Sequence, residues 1–288
     1  MPQPSPPIER AKPLLGTIVR IRVTGLAAPE AHEAISGAFD VVADIHRLMS
    51  FHEADSEVSR LNADAGKAPV RITAHTRTVL EKALELARLS DGLFDPTIAP
   101  ALVEEGLLPC PAGENPATAA DWEDVVLSAD GSVGFARPLW LDFGGIAKGY
   151  AVDCALAHLE AYRPASIYVE AGGDLRLAGP DAEFVRLKAP RSGKELPVLK
   201  IENAAVASSG SQPDEEGRLK GAHIDTRTGE FCPVERFVSV VAPRCIEADA
   251  LTKIVIAAGA DATPILDHYQ ASAFLFDGAA WTQIGNAA

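Results

Sequence analysis

Three side chains that could do chemistry lie close together near the end of the chain, namely Asp249, Thr252 and Lys253. The surrounding stretch has helical periodicity, and residues three and four positions apart share one face of a helix. Carboxylate and hydroxyl oxygens at a helix start suit a hard cation such as Mg²⁺. The alternative is structural: an acidic residue that the helix dipole favours, with Lys253 as its ordinary ion-pair partner. The sequence leaves both interpretations open.

A pair of glycines marks a second candidate site. The apolar stretch 139–143 predicts a strand that runs into Gly144 and Gly145, after which a helix begins. Two glycines let the backbone approach a ligand closely, and the first N–H groups of a helix attract anions. Lys148, in the first helical turn, adds a cation. The pattern suits a phosphate group, although a purely structural strand-to-helix turn would have the same sequence.

Three further polar stretches could contribute to the same pocket. Gly173 follows a predicted strand and precedes a carboxylate, so it is a candidate for a backbone wall. Ser209 lies in a small polar loop that could donate hydroxyl and N–H groups to phosphate oxygens. His223 is a candidate general base beside Asp225, which opens a turn. Each has a structural alternative: a hairpin turn, a plain loop and a structural histidine.

Composition and charge limit the class of protein. The chain has 288 residues, is 47% hydrophobic and 23% charged, and carries a formal net charge of −14. That charge repels nucleic acid and anionic lipid, so a bound phosphate must be held by local groups. The sequence shows no apolar run near the ~20 residues that span a membrane. The proline-rich start lacks an apolar signal region, and we therefore expect a cytoplasmic protein.

The chain has four cysteines and no CxxC pair, which favours free thiols in a reducing compartment. A disulfide between Cys232 and Cys245 is the alternative.

The hydrophobic patterns mix strands and helices without strict βα alternation, which predicts an α+β fold. We expect residues 1–12 to be a disordered arm, 13–288 to form one domain, and 109–120 to be a surface excursion within it. Helices are predicted over 29–50, 76–90, 146–162 and 247–258. Strands are predicted over 14–23, 139–143, 166–170, 175–177, 185–187, 237–241 and 273–276.

Taken in order, these segments resemble the ApbE family of FAD:protein FMN transferases. The matching segments are LLGT (14–17), LMSFHEADSEVSRLN (48–62), GLFDPTIAP (92–100), LDFGGIAKGYAVD (141–153), EAGGDL (170–175), ASSG (207–210), DTRTG (225–229) and ADAL (248–251). No single motif is decisive, but eight in the right order over most of the chain are a strong signal.

The resemblance implies one α+β domain that binds FAD in a deep cleft together with Mg²⁺. Members of the family cleave the FAD pyrophosphate, pass FMN to a Thr or Ser hydroxyl of an acceptor protein, and release AMP. Bacterial electron-transfer proteins are the usual acceptors. Phosphoryl transfer needs positioning and charge neutralisation more than covalent work by the protein, which fits the residue types found.

The resemblance also implies roles for individual residues. Asp249 and Thr252 would bind the metal together with the backbone around Gly145. The candidate catalytic set is Asp249 together with His223 and Lys253, which the residues themselves suggest and which depart from the family pattern. The candidate FAD-binding residues are Leu15, His52, Gly106, Leu107, Asp142, Lys148, Gly173, Ser209 and Asp225.

Several positions depart from the family pattern. Lys253 stands where a hydroxyl residue is usual, and its ammonium could weaken or replace Mg²⁺. Alternatively, Thr252 supplies the hydroxyl and Lys253 leans away. Ala222 stands where the family has His, and in an extended strand the one-residue shift to His223 would point that side chain to the other face. His52 and the segment 105–107 also replace more aromatic sequences.

These departures keep three functions open. The leading interpretation is FMN transfer from FAD to an acceptor protein. The second is a family member that binds flavin without efficient transfer and serves as a carrier or assembly factor for a redox enzyme, which Lys253 and Ala222 would favour. The third is a hydrolase that splits FAD with water as the acceptor.

Overall fold

The computed structural model describes residues 6–111, 115–117, 120–187, 196–213, 219–221 and 223–285. Its strands are β1 (Ile8–Leu14), β2 (Thr17–Thr24), β3 (Val70–Arg71), β4 (Val125–Leu127), β5 (Ser132–Phe135), β6 (Ser166–Ala171), β7 (Asp174–Ala178), β8 (Glu183–Arg186), β9 (Val198–Ile201), β10 (Ala205–Gly210), β11 (Gln212–Pro213), β12 (Leu219–Lys220), β13 (Phe237–Ala242), β14 (Ser272–Phe276) and β15 (Trp281–Ile284). Its α-helices are α1 (Ala28–Met49), α2 (Glu57–Asp64), α3 (Ala74–Leu89), α4 (Ala99–Glu104), α5 (Ala147–Glu160), α6 (Cys245–Ala258) and α7 (Thr263–His268).

An antiparallel sheet of eight strands organises the protein, in the order β1-β2-β6-β7-β10-β13-β14-β15. It begins with a two-residue hairpin between β1 and β2, in which Leu15 and Gly16 both have positive φ. That conformation matches the twist of paired strands and turns the chain directly back on itself. The α+β fold predicted from the sequence is confirmed.

Three helices pack together against this sheet and form most of the core. Helix α1 buries apolar residues at helical spacing, as its pattern predicted, and packs against α5, which in turn packs against α6. Helix α6 is buried over nearly its whole length, so polar side chains on it must find partners inside the protein. Asp249 and Thr252 are such residues.

One buried carboxylate connects helices α5 and α6 by hydrogen bonds. Asp153, on α5, accepts hydrogen bonds from the backbone N–H groups of Cys245 and Ile246 at 2.9 and 3.0 Å. These are N–H groups at the start of α6, which has no side-chain cap of its own. Arg176 donates to the same carboxylate at 2.8 Å. Asp153 therefore fixes the register of the two helices that carry the site described below.

Two predicted elements are wrong. Residues 8–12 are not disordered, because they pair with β2 as part of β1; residues 1–5 lie outside the described residues. The stretch 139–143 is neither a strand nor a helix. Instead of a neighbouring strand, the side chain of Asn62 binds both backbone groups of Leu141, at 2.7 Å to its N–H and 3.0 Å to its carbonyl. The predicted excursion 109–120 falls partly outside the described residues.

Two expectations from composition can be compared with the structure. Within the described part of the chain, no helix is long and apolar enough to cross a membrane. Cys110, Cys154, Cys232 and Cys245 are all free thiols, so the alternative disulfide between Cys232 and Cys245 is not formed.

Because Asn62 substitutes for a strand, we expect Asn62→Ala to destabilise the fold by about 2–4 kcal/mol, since two buried backbone groups lose their partners. Equilibrium urea unfolding measures this free energy. Asp64→Ala on the same helix is the matched control, because the Asp64 side chain is 62% exposed and its loss should cost under ~0.5 kcal/mol. Equal stabilities of the two variants would contradict the role of Asn62.

Candidate active site

Two lysines and two aspartates form a charged cluster where α5, α6 and β7 meet. Lys148 lies in the first turn of α5, and its ammonium donates to Asp174 and lies 3.6 Å from the Asp249 carboxylate. Lys253 Nζ lies 2.5 Å from Oδ1 of Asp249. Asp249, Thr252 and Lys253 share one helix face, as their spacing predicted.

The members of this cluster shift one another's pKa values. Burial alone would raise the pKa of Asp249, but Lys148 and Lys253 outweigh burial and lower that pKa to about 2. Burial and the charge of Asp249 raise the pKa of Asp174, against the opposing effect of Lys148. Burial would lower the pKa of Lys148, yet the two carboxylates outweigh it and raise that pKa. Lys148 and Asp249 are therefore both charged at neutral pH.

A chain of hydroxyl groups connects Lys253 to the backbone of α6. Nζ of Lys253 donates to Ser209 Oγ at 3.2 Å, and Ser209 Oγ lies 2.7 Å from Thr252 Oγ1. Thr252 donates its own proton to the carbonyl of Asp249 at 2.7 Å. Ser209 must therefore donate to Thr252 while it accepts from Lys253. The alternative in which Lys253 leans away from Asp249 does not hold.

A cavity of about 350 Å³ opens over the charged cluster. Its polar lining residues include Lys148, Lys253, Ser209 and His223. The segment 93–102 contributes mostly apolar lining residues, Phe94 among them, together with Asp95. Such a combination of apolar walls and a few converging polar groups is typical of small-molecule sites.

A second cavity of about 310 Å³ lies beside the first. It is mostly apolar and is formed by the β1–β2 hairpin and the end of α1, together with Leu108. Asp142, Gly144 and Lys148 line both cavities. These three residues therefore form a shared wall between the two cavities.

The shared wall is held in place by hydrogen bonds to its backbone. The N–H of Asp142 donates to the carbonyl of Pro96 at 2.8 Å, and Asn62 holds the preceding residue, Leu141. The carboxylate of Asp142 accepts from the N–H of Gly144 at 3.0 Å, and burial raises its pKa. The sequence 139–145 thus forms a rigid edge between the cavities.

Most of the predicted site residues come together here. Asp142 and Lys148 lie on the shared wall. The first cavity is lined by Gly145, Ser209, His223 and Lys253, and the second by Leu15 and His52. Asp249 and Thr252 are fully buried directly behind Lys253.

Among the described residues, four predicted site residues lie outside both linings: Gly106, Leu107, Gly173 and Asp225. Residues adjacent to three of these positions, Leu108, Gly172 and Thr226, line a cavity instead. Asp225 accepts from the backbone N–H of Arg227 at 3.0 Å, which is consistent with the turn that the sequence predicts at this residue.

His223 reaches the first cavity despite its shifted position in the sequence. Its backbone takes part in a short turn-and-bridge segment rather than a long strand, so strand alternation does not decide its direction. Burial, followed by the charge of Lys253, lowers its pKa to about 4, with a further contribution from Lys148. The imidazole is therefore neutral at pH 7. Ala222 lies outside the described residues.

Sequence reasoning missed two kinds of residue. Asp174 was noted only as a carboxylate after glycines, yet it is 1% exposed and pairs with Lys148. An acidic residue at the start of an apolar strand was the available signal. Phe94 lies in the segment 92–100, which resembles the ApbE family, but no hydrophobic periodicity there predicted that it lines a cavity.

The Mg²⁺ that the resemblance implies does not fit the donor set as it stands. Oδ1 of Asp249 is taken by Lys253, and Oδ2 accepts from the N–H of Gly149 at 3.0 Å. The hydroxyl of Thr252 is engaged at both its proton and its oxygen. Within the residues that the structure describes, no group of three or more His, Cys, Asp or Glu side chains could hold a metal ion.

Fold and site together define a class of protein: an α+β protein with two adjoining cavities whose shared wall carries the ammonium group of Lys148. The ApbE family model matches residues 15–275, and the chain belongs to the ApbE family. The FAD:protein FMN transferase of Treponema pallidum (strain Nichols) is 29% identical over 275 residues, covering 84% of this chain and 76% of that protein. The FAD:protein FMN transferase of Haemophilus influenzae is 27% identical over 259 residues, covering 81% of this chain and 73% of that protein.

Solved structures of the family share the fold. The apo form of the Pseudomonas stutzeri flavinyl transferase ApbE has a TM-score of 0.82 at 21% identity, covering 98% of this chain and 95% of that one. The ApbE protein of Thermotoga maritima has a TM-score of 0.83 at 24% identity, covering 97% of each chain.

Proposed function

We propose that this protein transfers FMN from FAD to a Thr or Ser hydroxyl of an acceptor protein and releases AMP. Membership of the ApbE family and the names of its relatives support this activity. The observation that carries it here is the shared wall, since Lys148 borders both cavities. A dinucleotide has two ring systems joined by a pyrophosphate, which matches two lobes joined at a cation.

The reaction is a displacement at the FMN phosphorus. The acceptor oxygen forms a new P–O bond while the P–O bond to the AMP phosphate breaks, and the bridging oxygen leaves with AMP. The hydroxyl proton passes to a base and then to solvent or the leaving phosphate. Lys148 and Lys253 would neutralise the charge of the pyrophosphate, which is the main demand of phosphoryl transfer.

His223 is suited to take the hydroxyl proton. It lines the same cavity as both lysines, and its lowered pKa keeps the imidazole neutral and able to accept. An anionic pyrophosphate beside it would offset the charge of Lys253 and move its pKa back toward the ordinary value. We therefore assign His223 as the base in the proposed reaction.

We expect the acid limb of kcat/KM for FAD to lie near pH 4 in this protein, since kcat/KM reports the free enzyme. The pKa of His223 in the folded protein is about 4, so its base form is lost only as pH falls through that value. A pH–rate profile on the wild type and on His223→Gln measures this. A limb near pH 6.5, or an unchanged profile and kcat in the variant, would contradict the assignment.

Assays of FAD binding and AMP release, each with and without an acceptor, separate the three candidate functions. Transfer predicts AMP release that requires the acceptor. Hydrolysis predicts AMP release without it. A carrier predicts tight FAD binding with no AMP under either condition, and no binding at all would refute all three.

The side-chain donors that the resemblance implies for Mg²⁺ already have partners here, since both carboxylate oxygens of Asp249 and the hydroxyl of Thr252 are hydrogen-bonded. We therefore build no step of the proposed reaction on a metal.

We also propose a cytoplasmic location, which the four free thiols support because a reducing compartment preserves them. Fractionation of the native host, with immunodetection of the chain, tests this proposal; recovery outside the cytoplasm would refute it.

A further inference from the structure

The ammonium group of Lys253 is surrounded by oxygen atoms in the manner of a bound cation. Its Nζ lies 2.5 Å from Oδ1 of Asp249, 3.1 Å from the Asp249 carbonyl and 3.2 Å from Ser209 Oγ. A carboxylate, a carbonyl and a hydroxyl are also the oxygen types that hard metal ions prefer. The Lys253 side chain is 22% exposed, on the cavity side.

The aliphatic stem of Lys253 passes beside Gly145. A Cβ placed on Gly145 would lie 3.5 Å from Cε and 3.7 Å from Cγ of Lys253. The space beside Gly145 would therefore still admit a methyl group at ordinary contact distance from the stem. The position of the ammonium is set by its three oxygen partners.

The hydroxyl groups of Ser209 and Thr252 each donate their proton and accept one hydrogen bond in this arrangement. Lys253 donates to Ser209, Ser209 to Thr252, and Thr252 to the Asp249 carbonyl. The hydroxyl protons of Ser209 and Thr252 therefore point the same way along this series of hydrogen bonds. Network members that are all satisfied favour a single arrangement.

A divalent ion at the same place would meet steric and electrostatic opposition. Mg²⁺ binds oxygen at ~2.0–2.1 Å in near-octahedral geometry. An ion that close to Oδ1 of Asp249 would lie against the ammonium that already occupies this oxygen at 2.5 Å. Lys148, 3.6 Å from the same carboxylate, adds a second like charge. Expelling Lys253 would also break its bonds to Ser209 and Asp249.

We infer that Lys253 is the resident cation of this cleft and occupies the place of a divalent metal, so that the protein binds the pyrophosphate of FAD without Mg²⁺. The inference has two halves. The first, that no divalent metal binds at Lys253, concerns the protein alone. The second, that FAD binds without Mg²⁺, rests on the proposed function for the identity of the ligand. The two aspartates and two lysines of the charged cluster then have a net charge near zero before FAD binds. The protein supplies one fixed positive charge where a metal would supply two.

Metal binding by the FAD-free protein tests the first half. Mn²⁺ serves as the probe, and electron paramagnetic resonance measures its free concentration. We expect wild type to bind no Mn²⁺ at millimolar concentration, whereas Lys253→Ser, which removes the ammonium and adds an oxygen, binds about one ion per chain. Mn²⁺ bound by wild type, or no Mn²⁺ bound by a folded Lys253→Ser variant, overturns the inference.

FAD titrations with Mg²⁺ and with EDTA test the second half. We expect the wild-type Kd to agree within about twofold between the two conditions. Lys253→Met should bind FAD at least tenfold more weakly in both, because Met supplies neither charge nor oxygen. Lys67→Met, which removes an exposed lysine paired with Asp64, is the matched control and should leave the Kd unchanged.

These outcomes distinguish the inference from the proposed function. FAD binding that EDTA abolishes in wild type overturns the inference and leaves FMN transfer intact. Failure of wild type to bind FAD in both conditions refutes the proposed function, and the Mn²⁺ measurement then decides the metal-binding half alone. Circular dichroism of each variant confirms that it is folded, and the wild-type measurements need no variant.

Discussion

Lys148→Met is expected to lower kcat/KM for FMN transfer by about 100- to 1,000-fold, which corresponds to about 3–4 kcal/mol. Lys148 borders both cavities and is the partner of Asp174. Its loss leaves two buried carboxylates facing Lys253 alone, so an incoming pyrophosphate meets excess negative charge. Removing one partner of a buried charge pair typically costs ~2–5 kcal/mol.

Steady-state transfer to an acceptor, at a temperature well below the unfolding midpoint of the variant, measures this loss. Lys67→Met removes an equivalent charge from an exposed pair and should leave kcat/KM within about twofold of wild type. A Lys148→Met enzyme with wild-type kinetics would show that the pyrophosphate does not lie at the shared wall.

The second large effect concerns folding, since Gly149→Ala should destabilise the protein by about 2–4 kcal/mol. Alanine is normally better than glycine in a helix by ~1 kcal/mol. Here, however, an added Cβ would lie 2.2 Å from the Cys245 carbonyl and 2.8 Å from Cβ of Asp249. Helices α5 and α6 would have to separate, which would also break the hydrogen bond from Gly149 to Asp249.

Differential scanning calorimetry or urea unfolding measures the change. Gly134→Ala is the matched control, because an added Cβ there would meet its nearest atoms at 3.8 Å, an ordinary contact distance. It should change stability by less than ~1 kcal/mol. Wild-type stability of Gly149→Ala would mean that the two helices are not in close contact at this point.

Much of the fold follows from patterns that are local in the sequence. Helix α1 repeats apolar residues at helical spacing, and its predicted span agrees with the structure to within a residue at each end. The stretch 139–143 looked equally clear, because an apolar run before two glycines is typical of a strand. Its backbone partner is instead the side chain of Asn62, 79 residues away from Leu141. No local pattern encodes that substitution.

The candidate site divides in the same way. The spacing of Asp249, Thr252 and Lys253 placed them on one helix face, and the structure agrees. The sequence could not decide whether Lys253 turns toward Asp249 or away from it. Ser209, from a distant part of the chain, contributes to this by accepting a hydrogen bond from Lys253. The burial of Asp174 likewise depends on Lys148, which only the assembled sheet and helices bring near.

Intact-mass spectrometry of an acceptor protein tests the central claim most directly. A bacterial electron-transfer protein produced without its flavin, and carrying a flavinylation Thr, is incubated with FAD and this protein. The account predicts that the acceptor gains one FMN group, that AMP appears in equal amount, and that an acceptor with Val in place of that Thr gains nothing. An acceptor of unchanged mass, with or without AMP release, would contradict the account.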